Sequence, residues 1–423
     1  MRPRFLLVTF ALVVAGLASQ QLSAAADAAE TSRRPAVAAD DRGVVPRLVR
    51  TAHLEAPVSG TPGCWAKSAV MSADGHTALL ACQRYGGEPG AVVVLSDAFR
   101  GGAWRVTTRI DVPTLAGAAL SADGRTLAIG DDYHRQAWVY TVAGGRWRRT
   151  ATIHGSSGGW FGSSIALSGD ARTLAFEAFQ GFSRERRRGA LYLYRRTSSS
   201  WSRQAVIGSP VATLPFFGQE AIALSMTGDT VVIGAPGTSP SNGATFVYRR
   251  MDGKWRLLTT LDGPGHEVAV STDGGTLAVR EGRAVSVFRE RASAGFVRSG
   301  SFEVGWLPLP LPLTLSGDGQ TLVVGDPQRT LHGVRFAGRV HRFVHTGGGW
   351  RFGGVLDPRD GELSYGAAVA VDATGRRVLV AANLPQRWGA VRVVGDLYQR
   401  PAVRPPGYLN AVMSVTSAAR SLA

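Results

Sequence analysis

Ala118-Ala119-Leu120-Ser121-Ala122-Asp123-Gly124-Arg125-Thr126-Leu127-Ala128-Ile129-Gly130 holds a six-residue hairpin signal between two short apolar runs. Ser and Asp side chains are short enough to bond nearby backbone amides, and Gly accepts the positive φ that closes a tight loop. The flanking runs read as strands buried on both faces. The same aliphatic-Ser-x-Asp-Gly-x-Thr-aliphatic pattern recurs, led by Ser72, Ser121, Ser168, Ser225, Ser271, Ser316 and Asp372. The copy at Ser225 is shuffled (Ser-Met-Thr-Gly-Asp-Thr), and the copy at Asp372 is degenerate (Asp-Ala-Thr-Gly-Arg-Arg). Spacings run from 45 to 57 residues with a mean of 50, the period of a repeat architecture.

Outward from each turn, a second hairpin follows. Its first strand is Ala137-Trp138-Val139-Tyr140 in one unit and Thr245-Phe246-Val247-Tyr248 in another. The next strand opens on an aromatic residue and carries an apolar one six positions on: Trp104/Ile110, Trp147/Ile153, Trp201/Ile207, Trp255/Leu261, Phe296/Phe302 and Trp350/Leu356. Each unit is therefore four strands. The last unit lacks its fourth strand, and Leu48 to Leu54 supplies one with the same six-residue step before the first turn. A chain that begins with the outer strand of its last unit closes a ring and protects its sheet edges. The sequence thus predicts an all-β fold, a seven-bladed β-propeller of four-stranded blades closed by an N-terminal outer strand that pairs around Val391. Ala69, Ala119, Ala166, Ala223, Ala269 and Ala370 fit the crowded ring axis. A parallel β-helix has shorter repeats and needs no offset terminal strand.

Phe161-Gly162-Ser163-Ser164 carries a Phe-Gly element, repeated at Phe217-Gly218 and Tyr365-Gly366, and Ile233-Gly234-Ala235-Pro236 carries a Gly-Ala-Pro element approximated at Gly325-Asp326-Pro327. On these motifs the units resemble FG-GAP-type repeats of integrin α-chain heads and bacterial exported proteins. The Ser-x-Asp-Gly turn also resembles WD40-like exported propellers. The resemblance covers about residues 45 to 397 and implies architecture more than function. Calcium-binding members carry an Asp-x-Asp-x-Asp-Gly loop, because Ca²⁺ takes six or more oxygens. No stretch here has that spacing, Asp131-Asp132 being the nearest acidic cluster, so no metal and no cofactor is expected.

Hydrophobic residues form 44% of the 423-residue chain and charged ones 18%, which allows a sizeable core. Net charge is +16, carried almost wholly by Arg, since Lys occurs only at Lys67 and Lys254. The Arg residues are scattered along the chain, unlike the concentrated arm or face of a nucleic-acid binder. They fit decoration of solvated strand faces; the sharper alternative is attraction to an acidic partner. Arg2, Arg4, an apolar run from Phe5 to Ala18 and small residues to Ala26 read as an export signal cleaved near Ala26, too short to span a bilayer comfortably. Residues 1–26 are assigned to that signal, 27–44 to a disordered linker, 45–397 to the propeller and 398–423 to a tail. A secreted, periplasmic or cell-surface monomer is expected. In an oxidising compartment Cys64 and Cys82, which flank one hairpin, are expected to pair.

Strand direction sorts the loops onto two faces. The Asp-Gly turns and the third-to-fourth turns share one; the second-to-third loops and the links between units share the other, which collects the longer loops. Binding tends to live on such loops, with aromatic and Arg anchors. The expected ligand or partner site is Tyr133, His134, Trp160, Phe182, Arg184 and Arg186. The leading expectation is a non-catalytic binding or scaffold module for an extracellular protein or anionic glycan, with no nucleic acid and no membrane span. The alternative is a propeller enzyme acting on extracellular glycans with carboxylates near the ring axis, where Glu220, Glu267 and Glu362 are the ones to test. Gly155-Ser156-Ser157-Gly158-Gly159 matches Gly-x-Ser-x-Gly, but a strand follows it instead of the helix a nucleophile elbow needs.

Overall fold

The computed structural model describes residues 48–55, 64–84, 89–97, 103–155, 160–179, 189–198, 200–211, 217–218, 221–237, 243–263, 265–304, 312–359, 361–385 and 391–399. The chain divides at Val44/Val45, and the first unit, with the expected signal and linker, lies outside the described residues. In the second unit β1 is Val49–Glu55. Sheet one is β2 (Cys64–Met71), β3 (Thr77–Arg84), β4 (Gly90–Ser96) and β5 (Arg105–Val112). Sheet two is β6 (Gly117–Leu120), β7 (Thr126–Asp131), β8 (Gln136–Ala143) and β9 (Arg146–His154). Sheet three is β10 (Trp160–Leu167), β11 (Thr173–Phe179), β12 (Gly189–Arg196) and β13 (Trp201–Gly208). Sheet four is β14 (Ile222–Leu224), β15 (Thr230–Pro236), β16 (Gly243–Met251) and β17 (Lys254–Asp262). Sheet five is β18 (Val268–Val270), β19 (Thr276–Glu281), β20 (Ala284–Arg291) and β21 (Gly295–Glu303). Sheet six is β22 (Leu313–Leu315), β23 (Thr321–Asp326), β24 (Arg339–Thr346) and β25 (Gly349–Leu356). Sheet seven is β26 (Leu363–Val371), β27 (Arg377–Pro385) and β28 (Val391–Gln399), with β1 as its outer strand.

β1 pairs antiparallel with β28, from Val49↔Gln399 to Glu55↔Val394. The pairing is therefore centred on Asp396, not on Val391 as the sequence suggested, and the last strand runs two residues past the expected boundary at 397. Apolar content explains the layering. Second strands such as β7 and β23 are buried along their whole length, because neighbouring sheets cover both faces.

The cores lie between sheets. Leu79, Val92 and Ile110 of sheet one meet Leu127, Trp138 and Trp147 of sheet two. Ile153 of sheet two meets Phe176 and Trp201 of sheet three, and Ile207 of sheet three meets Trp255 of sheet four. The aromatic residue and the apolar residue six positions later thus serve opposite seams, although an even step along a strand returns to the same face. A bulge in β9 resolves this. Val139 pairs with Ala151 and Tyr140 with Arg149, so Thr150 is an extra residue that inverts the alternation. Its Oγ1 donates to the Val139 carbonyl at 3.3 Å, and Thr107 and Ser299 fill the equivalent bulges in the same way.

The recurring turn does more than reverse the chain. Ser121 Oγ donates to Asp123 at 2.5 Å and accepts from the Thr126 amide at 2.9 Å, so both side chains brace the loop. Backbone amides then join each turn to the next. Ala73 donates to Ala122, Ala122 to Gly169, Asp170 to Met226, Met226 to Thr272, Thr272 to Gly317, and Asp318 to Ala373. Ala373 donates back to Ala73 at 3.1 Å, which completes a circle of hydrogen bonds. The turn glycines fit against the motif Thr of the preceding sheet: a Cβ on Gly228 would stand 2.4 Å from Thr173 Oγ1, and one on Gly375 2.1 Å from Thr321 Oγ1. At the closing seam Arg377 occupies the Thr position. It donates to the Gly75 carbonyl at 3.0 Å and to buried Asp97 at 2.7 Å, and His76 Nδ1 meets the other Asp97 oxygen at 2.6 Å.

Candidate functional site

β7 ends at Asp131, whose side chain is fully buried at the loop-rich end of sheet two. A buried carboxylate needs partners, and three groups supply them. Thr114 Oγ1 donates to Oδ1, the His134 amide donates to Oδ1 at 3.1 Å, and His134 Nδ1 donates to Oδ2 at 2.8 Å. The carboxylate therefore fixes both the turn and the imidazole ring, leaving Nε2 as the ring's remaining nitrogen. The His134 side chain is 45% exposed. Tyr133 stands edge-on to it, with ring centroids 5.1 Å apart, and is 76% exposed. Arg135 closes the turn at φ 55°, and its carbonyl accepts the Gly155 amide at 2.8 Å, which ties the loop to the link toward sheet three. A large ring held outward on a braced turn is a ready contact group. A His oriented by Asp is half of a hydrolytic relay, but among the described residues no Ser, Thr or Cys bonds its ring.

Of the expected site residues, the chain neighbours Tyr133 and His134 stand edge to face, and Thr114 and Asp131 support their turn. Trp160 opens β10 of sheet three, opposite Phe179 on the adjacent strand β11. Phe182, Arg184 and Arg186 lie outside the described residues. Thr114 gave no sequence signal, because its role depends on a carboxylate 17 positions away. On sheet six the exposed apolar tip falls at Val334 and Phe336, in the loop between β23 and β24. Arg335 lies over the Phe336 ring at 5.7 Å.

The axis holds a cavity of about 300 Å³ to which inner strands or turns of all the sheets contribute, among them Met71, Leu120, Leu167, Met226, Val270 and Leu315. No carboxylate or cation is among its lining residues. Of the alanines expected at the axis, Ala69, Ala223, Ala269 and Ala370 line this cavity, whereas Ala119 and Ala166 turn into the seams. Glu220 lies outside the described residues. Glu362 is buried and its Oε2 accepts the Arg359 amide at 2.8 Å. Glu267 lies near the buried Arg280, whose pKa burial pulls down while the Glu267 charge pushes it back up. Among the described residues no group of three metal-ligating side chains occurs, and no helix is long and apolar enough to cross a membrane. Cys82 on β3 is disulfide-bonded; Cys64, the chain's other cysteine, opens the adjacent β2, two positions from Ala66, which pairs with Cys82.

No family model matches the chain, and no curated protein does. Among solved structures it is similar to the β-propeller domain of Cps50 (Swd1) from Myceliophteria thermophila, with 14% identity and a TM-score of 0.56, over 84% of this chain and 99% of that one. It is also similar to a protein from Lactobacillus plantarum, with 15% identity and a TM-score of 0.51, over 73% of this chain and 89% of that one. At such identities the likeness shows the fold alone. It supports an all-β propeller of mostly four-stranded blades and gives no support to an FG-GAP or integrin-like family. Nor does it support seven as the blade number, so the expected seven-bladed class is corrected to that coarser one. The sheets described above stand on this chain's own strand pairing.

Proposed function

We propose that this chain is an exported, non-catalytic binding or scaffold propeller that recognises a protein or cell-surface glycan through its loop-rich face. The supporting observation is the Tyr133 ring, 76% exposed on a turn braced by the buried Asp131. Rigid aromatic groups give contact area at small entropic cost, and a scaffold of packed sheets suits their display. The FG-GAP-type motifs and the N-terminal signal pattern support a surface or secreted setting. The enzyme alternative draws no support from the axis, because the cavity there is lined by apolar and small residues.

The test is binding of the purified chain to an array of bacterial and animal glycans, with chemical cross-linking to intact cells as the protein arm. Tyr133→Ala, which leaves the Asp131–His134 contact intact, is expected to weaken any captured ligand at least tenfold while leaving the melting temperature within a few degrees. Unchanged capture by that variant overturns the assignment of the site.

A further inference from the structure

The turn side of the propeller distributes charge unevenly. Equivalent positions on the first six sheets are identified by one recurring bond, from a residue at the end of the third strand to the turn beside it. Asp97 donates its amide to His76, Val142 to Arg125, Arg196 to Arg172, Arg250 to Asp229, Glu290 to Gly275, and His345 to Gln320. Several cations on this side have a partner in or across the seam, although Arg256 and Arg351, at the register position of Arg148, form no ion pair among the described residues. Arg249 meets Glu290 at 2.8 Å, Arg250 meets Asp229, and Arg377 meets Asp97 at 2.7 Å. Arg298, on the outer strand of sheet five, meets Glu281 at 3.2 Å.

Sheets two and three gather such cations on adjacent sheets. Arg148 and Arg149 on β9, Arg172 in the turn, Arg195 and Arg196 at the end of β12, and Arg203 on β13 collect at their turn-side ends. Among the described residues none of these six forms an ion pair, and all but the half-buried Arg195 are exposed. The nearby acid Asp170 is already committed to its own turn, where Oδ1 accepts from Ser168 at 2.6 Å and from the Arg172 amide at 2.9 Å. Two of the guanidinium groups are also positioned: Arg149 lies over the Trp138 ring at 5.9 Å, and Arg203 over the Tyr192 ring at 6.0 Å. Repetition of one arrangement on adjacent sheets makes a row of fixed cations instead of a loose charge run.

We infer that this row is a second binding surface, for an acidic polysaccharide carrying carboxylate or sulfate groups. Guanidinium forks match such groups in a bidentate way. Ser202, bonded to Gln204 at 2.9 Å, and the Thr197–Ser200 hydroxyl pair at 2.9 Å supply polar neighbours for a hydroxylated polymer. Single-stranded nucleic acid calls for exposed rings on which bases stack, and the rings here, Trp147 and Trp201, are packed into seams. The surface lies on the opposite side from Tyr133 and stands independently of the loop-face reading.

The probes are a heparin octasaccharide and polygalacturonate, measured by calorimetry from 50 to 300 mM salt, with a 20-mer of deoxythymidine and phosphatidylglycerol vesicles in parallel. The expected result is salt-sensitive binding of one polysaccharide. It should fall at least tenfold in the variant Arg148→Ser, Arg149→Ser, Arg203→Ser, and less than twofold in Arg135→Ser, Arg335→Ser, Arg359→Ser. The second variant removes the same charge from the loop-rich face. Equal loss in both variants means that net charge alone is read, and overturns the proposal. So does tighter binding of the oligonucleotide or the vesicles, or no binding of either polysaccharide.

Discussion

Ala171 is the exception among the turn residues. It holds φ 57°, where the corresponding Gly124, Gly228, Gly274, Gly319 and Gly375 hold φ of 64–76°. A side chain in left-handed backbone costs about 1–2 kcal/mol, and a glycine returns part of that through the entropy of the unfolded chain. Ala171→Gly is therefore expected to stabilise the fold by about 0.5–1 kcal/mol. Gly375→Ala runs the other way, because its Cβ would meet Thr321 Oγ1 at 2.1 Å as well as adopt φ 65°. A loss of roughly 2–4 kcal/mol is expected once overpacking is added to backbone strain. Chemical denaturation of the two variants checks both signs. A gain for Gly375→Ala would mean that the turn does not dock on the neighbouring sheet. The turn itself was plain from its Ser, Asp and Gly; its contact with the previous unit was not, since no local pattern reports what a glycine leaves room for.

Between strands, the contact of β20 with β24 responds to pH. Arg289 Nη1 lies 3.2 Å from His345 Nε2 across the seam, and the His345 ring stands edge-on to Trp350 at 5.5 Å. Burial lowers the His345 pKa below its usual 6.5, and the Arg289 and Arg291 charges lower it further. The unfolded chain therefore takes up the proton at a higher pH than the folded one. Stability from this contact is complete above pH 6.5 and is lost as pH falls through the folded-state value. Arg289→Gln should move the His345 titration, followed by its ring proton resonances, back toward 6.5; an unmoved titration would show that the guanidinium is not the perturbing charge. Such seams explain what was legible at this level. Four strands per unit could be read from alternation and turns, and the aromatic openings such as Trp201 marked packing between units. That Trp147 and Ile153 face different neighbours could not be read, because one bulged residue, Thr150, inverts the alternation without any distinctive type of its own. The paired seams likewise hid the basic row. Arg148 and Arg203 look like the other scattered Arg residues until the sheets show which cations meet an acid.

Across the whole molecule, closure joins residues some 300 positions apart. β1 seals sheet seven, and Arg377 crosses to Asp97, where a threonine occupies its position in the other sheets. The Asp97 side chain is only 5% exposed, and Arg377 and His76 are the partners that contact its carboxylate. Removing one partner of a buried pair strands the other, whereas replacing both with residues that pack can be nearly neutral. The sheet-one to sheet-two seam shows the uncharged version, with Thr77 where Arg377 stands and Val142 where Asp97 stands. Arg377→Thr alone is expected to cost roughly 2–4 kcal/mol, less than a fully orphaned charge because His76 remains. Asp97→Val with Arg377→Thr should recover most of that loss, which a double-mutant cycle in denaturant measures. Strict additivity of the two substitutions would show that the pair is not coupled. Recovery would also place the closing seam under the same packing rule as the others, with the ion pair as a local replacement for the Thr contact and not as the clasp that holds the circle.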